Sequence, residues 1–161
     1  MSQVNSGVAG TSIFVGMIDT RNSVTGEAGI GLPSKKSMIY VVDDDYDVRT
    51  SLRFLLEAEG FDVRTFSSGT ALLGSSTRHC AECLVVDYKM AEIDGLELAY
   101  RLRRLDVSTP IILITGYPDE SISAKATSVG VRQVVLKPNL EGNLVECVRN
   151  AIDERRAVDQ P

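Results

Sequence analysis

The chain has 161 residues, 43% of them hydrophobic and 24% charged, with a formal net charge of −5. That composition suits one globular core with some chain left over, and it excludes collagen-like, low-complexity and wholly disordered readings. No apolar run reaches the ~18–20 residues of a membrane-spanning helix. The acidic balance argues against a binder of nucleic-acid backbones, because counterion release needs clustered Lys and Arg.

The N-terminus does not read as a signal peptide, since no basic residue precedes Arg21. Three cysteines without a framework of pairs fit a reduced compartment. These features predict a cytoplasmic protein that contacts neither membrane nor DNA. Residues 1–37 are rich in Ser, Gly, Thr and Asn and read as a flexible extension. One apolar patch, Ile13–Ile18, interrupts it, and docking of that patch on the domain or on a partner is the alternative.

From Met38 onward, short apolar runs alternate with segments of helical period, the pattern of βα units around a parallel sheet. The predicted strands are Met38–Val42, Phe61–Thr65, Cys83–Val86, Pro110–Ile114 and Gln133–Leu136. Val48, Leu52, Leu55 and Leu56 mark the first helix, which Gly60 ends. Leu98, Leu102 and Leu105 mark a buried helix face opposite Arg101, Arg103 and Arg104. A weaker helix over Asp119–Val129 carries only Ile122, Ala126 and Val129, and the last helix carries Leu144, Val148, Ala151 and Ile152. The expectation is a (βα)5 domain over 38–154 with a doubly wound, five-stranded parallel sheet, followed by a polar tail at 155–161.

In such a sheet, sites form beyond the carboxyl ends of the strands. Those ends read Asp43-Asp44-Asp45, then Asp87, then Thr115, then Lys137-Pro138. Each has a plain structural explanation: an Asp after a strand often caps the next helix, and Asp45 or Asp44 suits that role here. As a set they suggest more. Two carboxylates ~4 Å apart at an effective dielectric of ~20 repel by about 4 kcal/mol, so three on one rim call for a cation. Oxygen donors without Cys or His select a hard ion, Mg²⁺ or Mn²⁺. A lysine and a hydroxyl facing the same rim suit a phosphoryl group transferred to a carboxylate as an acyl phosphate.

At these residues the sequence resembles the receiver domains of two-component response regulators. The matching pieces are Ile39–Asp45, Leu84–Met90 with Asp94-Gly95, Ile111–Gly116 and Lys137-Pro138. Asp87 lies 44 residues after Asp43, Thr115 a further 28 and Lys137 a further 22, which are family-like separations. The resemblance implies a flavodoxin-like strand order of 2-1-3-4-5. It implies Asp87 as phosphoacceptor, with Mg²⁺ held by Asp44, Asp87 and the Lys89 carbonyl, and by Asp43 largely through water. Lys137 would pair with the phosphoryl group, Thr115 would hydrogen-bond it, and Gly116 would leave the approach uncrowded. The donor would be a histidine kinase or a histidine phosphotransfer protein, and the signal would pass to a downstream protein target. The domain would catalyse its own phosphorylation and dephosphorylation without acting as a turnover enzyme.

Three positions depart from the family pattern: Ala91 stands for the usual proline, Val134 for the switch aromatic, and Asn139 for a common phenylalanine. Without the aromatic, the expected readout of phosphorylation is an order change over 116–129. Two other chemistries fit parts of the sequence. A haloacid-dehalogenase-type phosphatase would use Asp43 and Asp45, although Asp47 stands where it needs Thr or Val. A metal or redox site would use Cys80 and Cys83, against the simpler reading of Cys83 as a core residue. Many regulators also carry a DNA-binding module after the receiver. Only seven residues follow Glu154, so the expectation is a stand-alone switch, with the receiver fragment of a longer DNA-binding regulator as the alternative.

Overall fold

Five strands and five helices alternate along the computed structural model, which describes residues 33–161 except Pro118, Pro138 and Asn139. The Ile13–Ile18 patch and Asn139 thus lie outside the described residues. In chain order the elements are β1 Met38–Val42, α1 Tyr46–Ala58, β2 Asp62–Phe66, α2 Gly69–Leu73, β3 Cys83–Asp87, α3 Gly95–Arg104, β4 Ile111–Thr115, α4 Glu120–Ser128, β5 Gln133–Leu136 and α5 Leu140–Asp159. All strand pairs are parallel, in the order β2-β1-β3-β4-β5. The fold class and strand order expected from the sequence are those observed.

Side chains of a strand alternate between its two faces, so each apolar run feeds two cores. Ile39, Val41, Cys83, Val85, Ile112 and Ile114 pack with Leu52 and Leu56 of α1 and with Leu144, Val148 and Ile152 of α5. Tyr40, Val42, Leu84, Val86, Ile111 and Leu113 pack with Leu72 of α2, Leu98 and Leu102 of α3, and Ile122 and Ala126 of α4. β3 and β4 are buried at every residue, which is why they read as unbroken apolar runs.

The structure moves some sequence-based boundaries. β2 and β4 begin one residue later than expected, and β3 and β4 extend to include Asp87 and Thr115. α5 runs to Asp159, past the boundary drawn at 154. Its last turns are tied down by Arg156, whose Nη2 lies 2.6 Å from Glu82 Oε2 and 2.9 Å from Ser37 Oγ.

Two residues of α3 change roles. Leu105, expected on the buried face, is 42% exposed because the helix ends at Arg104 and the period with it. Arg103, expected to face solvent, is half-buried and donates to the carbonyls of Val107 (2.6 Å) and Gly130 (2.8 Å). Its planar fork satisfies two main-chain acceptors at neighbouring turns. Gly130 has φ +82°, and a Cβ there would sit 2.8 Å from Arg103 Nε.

Candidate functional site

With strand order 2-1-3-4-5, the winding reverses between β1 and β3, and a cleft opens beyond their carboxyl ends. Asp43 follows β1, Asp87 closes β3, Thr115 closes β4 and Lys137 follows β5. These four residues line one cleft of about 400 Å³ together with Asp44, Asp45, Lys89, Gly116 and Tyr117.

Asp43, Asp44 and Asp87 each bring a carboxylate oxygen within 4.8 Å of the other two. Asp43 and Asp87 are buried, at 2% and 5% exposure, while Asp44 is open to solvent. Burial pushes the Asp43 carboxyl up to about 6; the charges of Asp87 and Asp44 add to the rise, and an N–H from Asp45 and the Lys137 charge oppose it. Burial also raises Asp87, against the hydrogen bond and charge of Lys137. Lys137 Nζ lies 3.0 Å from Asp87 Oδ1. Burial alone would lower the Lys137 pKa, but the bond and charge of Asp87 outweigh it, so the ammonium is favoured.

One oxygen of each carboxylate is already held by the protein. Asp43 Oδ1 accepts the Asp45 N–H at 2.9 Å, and Asp44 Oδ2 accepts the Ala91 N–H at 3.0 Å. Asp87 Oδ1 faces the Lys137 ammonium. The rest of the triad's acceptor capacity finds no cationic partner beyond Lys137 among the described residues. Three hard oxygen donors whose mutual repulsion one ammonium relieves only in part are a donor set for a small divalent cation.

Asp45 stands apart. Its Oδ1 accepts the N–H groups of Asp47 (2.9 Å) and Val48 (3.1 Å), capping α1. Arg49 reaches back to the Asp43 carbonyl at 2.7 Å and steadies the same turn. Thr115 is 2% exposed, and its hydroxyl oxygen accepts the Tyr117 N–H at 3.1 Å. At Gly116 the nearest atom to an added Cβ would be Lys137 Cδ at 4.0 Å.

Sequence reasoning missed two contacts and the packing role of Gly95, which it had named only as a motif residue. The Lys89 ammonium sits 5.3 Å from the centre of the Tyr117 ring, joining the loops after β3 and β4 beside the cleft. The Ala91 amide reaches Asp44 across the chain, and a main-chain donor leaves no residue-type signal. Gly95 opens α3 where a Cβ would meet the Asp87 carbonyl oxygen and Leu113 Cδ1, both at 2.6 Å. Its signal was available: glycine is a poor helix former, and its presence just after the Asp94 cap marks a close approach.

Comparison with known proteins agrees with this arrangement. The model of the response regulator receiver domain matches residues 39–149. The chain belongs to that family. It is 36% identical over 118 residues to the response regulator protein TmoT of Ectopseudomonas mendocina, covering 73% of this chain and 54% of TmoT. It is 34% identical over 117 residues to the transcriptional regulatory protein FixJ of Bradyrhizobium diazoefficiens, covering 73% of this chain and 57% of FixJ. The crystal structure of FixJ-N superposes with a TM-score of 0.68 at 30% identity, covering 74% of this chain and 96% of that one. The chain spans about half the length of these curated relatives.

Receiver domains serve phosphorylation-dependent two-component signalling and generally bind Mg²⁺ at an acidic Asp cluster, which is the donor set found here. Membership sets aside the phosphatase alternative, and the geometry agrees: the Asp45 side chain that reading needs is engaged in capping α1. The cysteine alternative also falls. Cys83 is buried in β3 with its thiol pushed up to about 12, mainly by burial, and Cys80 lies apart from it on the surface. Among the described residues, no helix is long and apolar enough to cross a membrane.

Proposed function

We propose that Asp87 is the phosphoacceptor of this receiver domain, with Mg²⁺ held by Asp43, Asp44, Asp87 and the Lys89 carbonyl, and with Lys137 and Thr115 as the groups that meet the phosphoryl oxygens. The observation that carries the reading is the Lys137 ammonium 3.0 Å from a buried carboxylate that also belongs to an acidic triad. A buried Asp paired with a lysine is a preorganised nucleophile: the ammonium opposes the upward push of burial on the carboxyl and already stands where charge develops. When bound, the divalent ion neutralises charge on the transferred group.

The residues divide the work. Asp87 attacks phosphorus to form an acyl phosphate, while the bond from phosphorus to the donor's imidazole nitrogen breaks and that nitrogen keeps the electron pair. Lys137 then has a phosphoryl oxygen to bind in place of a carboxylate oxygen. Thr115 can turn its hydroxyl proton to the same group, because its oxygen now serves only as acceptor to the Tyr117 amide and as a long donor to the Tyr117 carbonyl at 3.5 Å. Gly116 keeps the entrance free of a side chain.

The donor is a histidine kinase or a histidine phosphotransfer protein. The lone histidine, His79, is not among the residues lining the cleft, so it does not supply the phosphoryl group from within. Signal leaves the domain by protein contact, with a separate target or with further chain of a longer regulator. The second arrangement draws support from the span of TmoT and FixJ, about half of which this chain matches.

Intact mass spectrometry with acetyl phosphate and Mg²⁺ tests the assignment. One phosphoryl adduct is expected, absent in Asp87→Asn and absent when the metal is chelated. An adduct that survives Asp87→Asn overturns it.

A further inference from the structure

The three carboxylates of the rim differ in how they are held. Asp43 and Asp87 are buried and fixed by their surroundings, whereas Asp44 is exposed on the turn after β1. An exposed aspartate ordinarily samples several rotamers and must give up that freedom to ligate an ion. Here one contact restrains it: the Ala91 amide, 47 residues away in sequence, donates to Oδ2 at 3.0 Å.

The donor sits in a loop braced from two sides. The loop from Tyr88 to Gly95 is closed by the Gly95 N–H on the Tyr88 carbonyl at 2.9 Å. It is tied to α2 by the Thr70 hydroxyl on Glu92 Oε1 at 2.6 Å. Glu92 has φ +70°, a backbone state that a non-glycine residue keeps only when its surroundings hold it there.

We propose that the Ala91 amide is a positioning group of the cation site: it orients Asp44 toward the ion and ties cation binding to the order of the 88–94 loop. The inference rests on the Mg²⁺ reading of the preceding section and adds a dependence that reading does not contain. An oxygen that accepts one hydrogen bond keeps a lone pair, and the second oxygen is free, so the amide and an ion can share the carboxylate. Because the coupling is a free energy between two sites, it works in both directions. A fixed loop raises ion affinity, and a bound ion fixes the loop.

The test is a titration with Mg²⁺ alone, followed by ¹⁵N-resolved NMR on the full chain. Ala91→Pro removes the N–H, and Ala91→Ser keeps it. The dissociation constant should rise about three- to tenfold in Ala91→Pro, the range of one net hydrogen bond, and stay within about twofold in Ala91→Ser. Thr70→Val lies outside the acidic triad and should raise it in the same direction by a smaller factor. Equal affinity in wild type and a folded Ala91→Pro overturns the proposal.

Should Ala91→Pro fail to fold, amide exchange in the native loop decides. Ala91 should exchange at least about threefold more slowly in wild type than in Asp44→Ala, and more slowly again with Mg²⁺ in wild type only. Identical exchange in the two proteins overturns the proposal. A wild-type chain that shows no Mg²⁺ binding overturns the Mg²⁺ reading itself, which is a different failure.

Discussion

Along β3 and β4, two kinds of burial stand one residue apart. Val86 and Ile114 are apolar, fully enclosed and favourable in place, while Asp87 and Thr115, the next residues, are nearly as enclosed and polar. Burying an apolar side chain gains roughly 1.5–3 kcal/mol, and burying a carboxylate costs free energy unless it is paired. The strands therefore carry stability in their middles and spend some of it at their carboxyl ends. The carboxylates of the proposed site are held where the metal-free fold would be better off without them. Perturbation of each region should move stability and chemistry in opposite ways.

The largest effect is expected in the centre. Leu113 is fully buried on the α3 side of β4, so Leu113→Ala should cost about 3 kcal/mol through lost burial and a cavity. The neighbouring Gly95→Ala sharpens the contrast by its sign. Helix propensity alone would make it about 1 kcal/mol more stable, but the new Cβ would lie 2.6 Å from the Asp87 carbonyl oxygen and from Leu113 Cδ1. Main chain cannot yield as a flexible side-chain tip can, so a net loss of about 1–3 kcal/mol is expected. Urea unfolding midpoints measure both; a more stable Gly95→Ala would show that α3 can shift away from the rim.

At the rim the expected change is smaller and of opposite sign. The Asp43 carboxyl is pushed up from 3.8 to about 6, so between those values the folded state holds more protons than the unfolded chain. Stability from this group is therefore present at low pH and lost as pH rises through about 6. The full loss is at most about 3 kcal/mol by the conversion of one pKa unit to ~1.4 kcal/mol, and Asp87 shifts in the same direction as part of one coupled titration. Asp43→Asn should thus stabilise the metal-free protein at pH 7.5, with the gain shrinking toward pH 4, while impairing phosphorylation. Adding Mg²⁺ should stabilise wild type at pH 7.5 and act less on the variant, since a ligand of the folded state stabilises by mass action. Thermal melts at two pH values, with and without Mg²⁺, check every part; a variant less stable at pH 7.5 would mean that the rim is not strained.

The same contrast explains what was legible in the sequence. Fully buried strands show as unbroken β-branched runs, so β1, β3 and β4 stood out, and the rim residues could be read as whatever followed each run. Asp43, Asp87, Thr115 and Lys137 converge because parallel strands bring all their carboxyl ends to one side. What stayed hidden depends on main chain or on where a period stops. α2 spans only Gly69–Leu73, too short to show a helical stripe. Leu105 kept the spacing of α3 but fell just past its end, and Arg103 looked like any charged residue until Val107 and Gly130 supplied acceptors. The Ala91 amide belongs to the same class, since a residue's type does not reveal where its N–H points.

The smallest expected effect concerns how the rim speaks to the rest of the fold. Two paths leave Thr115 and Lys137: α4 on one side, and β5 with α5 on the other. α5 is anchored by Leu144, Val145, Cys147, Val148, Ala151 and Ile152, all buried, whereas α4 buries only Ile122 and Ala126. Segments with few buried anchors open at low cost. The Tyr117 amide now bonds to the Thr115 hydroxyl at 3.1 Å. A hydroxyl that turns to donate to a phosphorylated Asp87 gains a charged acceptor, which is worth more than a neutral one, and its hold on Tyr117 changes with it. Val134, half-buried on β5, has no ring to swing into the space left behind. Hydrogen exchange with and without a beryllofluoride mimic of the phosphoryl group should therefore change most within 116–129, by a few-fold in rate, while α5 stays protected. Changes confined to 133–154 would mean that the strand and the last helix carry the signal without the aromatic, and that the weak anchoring of α4 has no part in it.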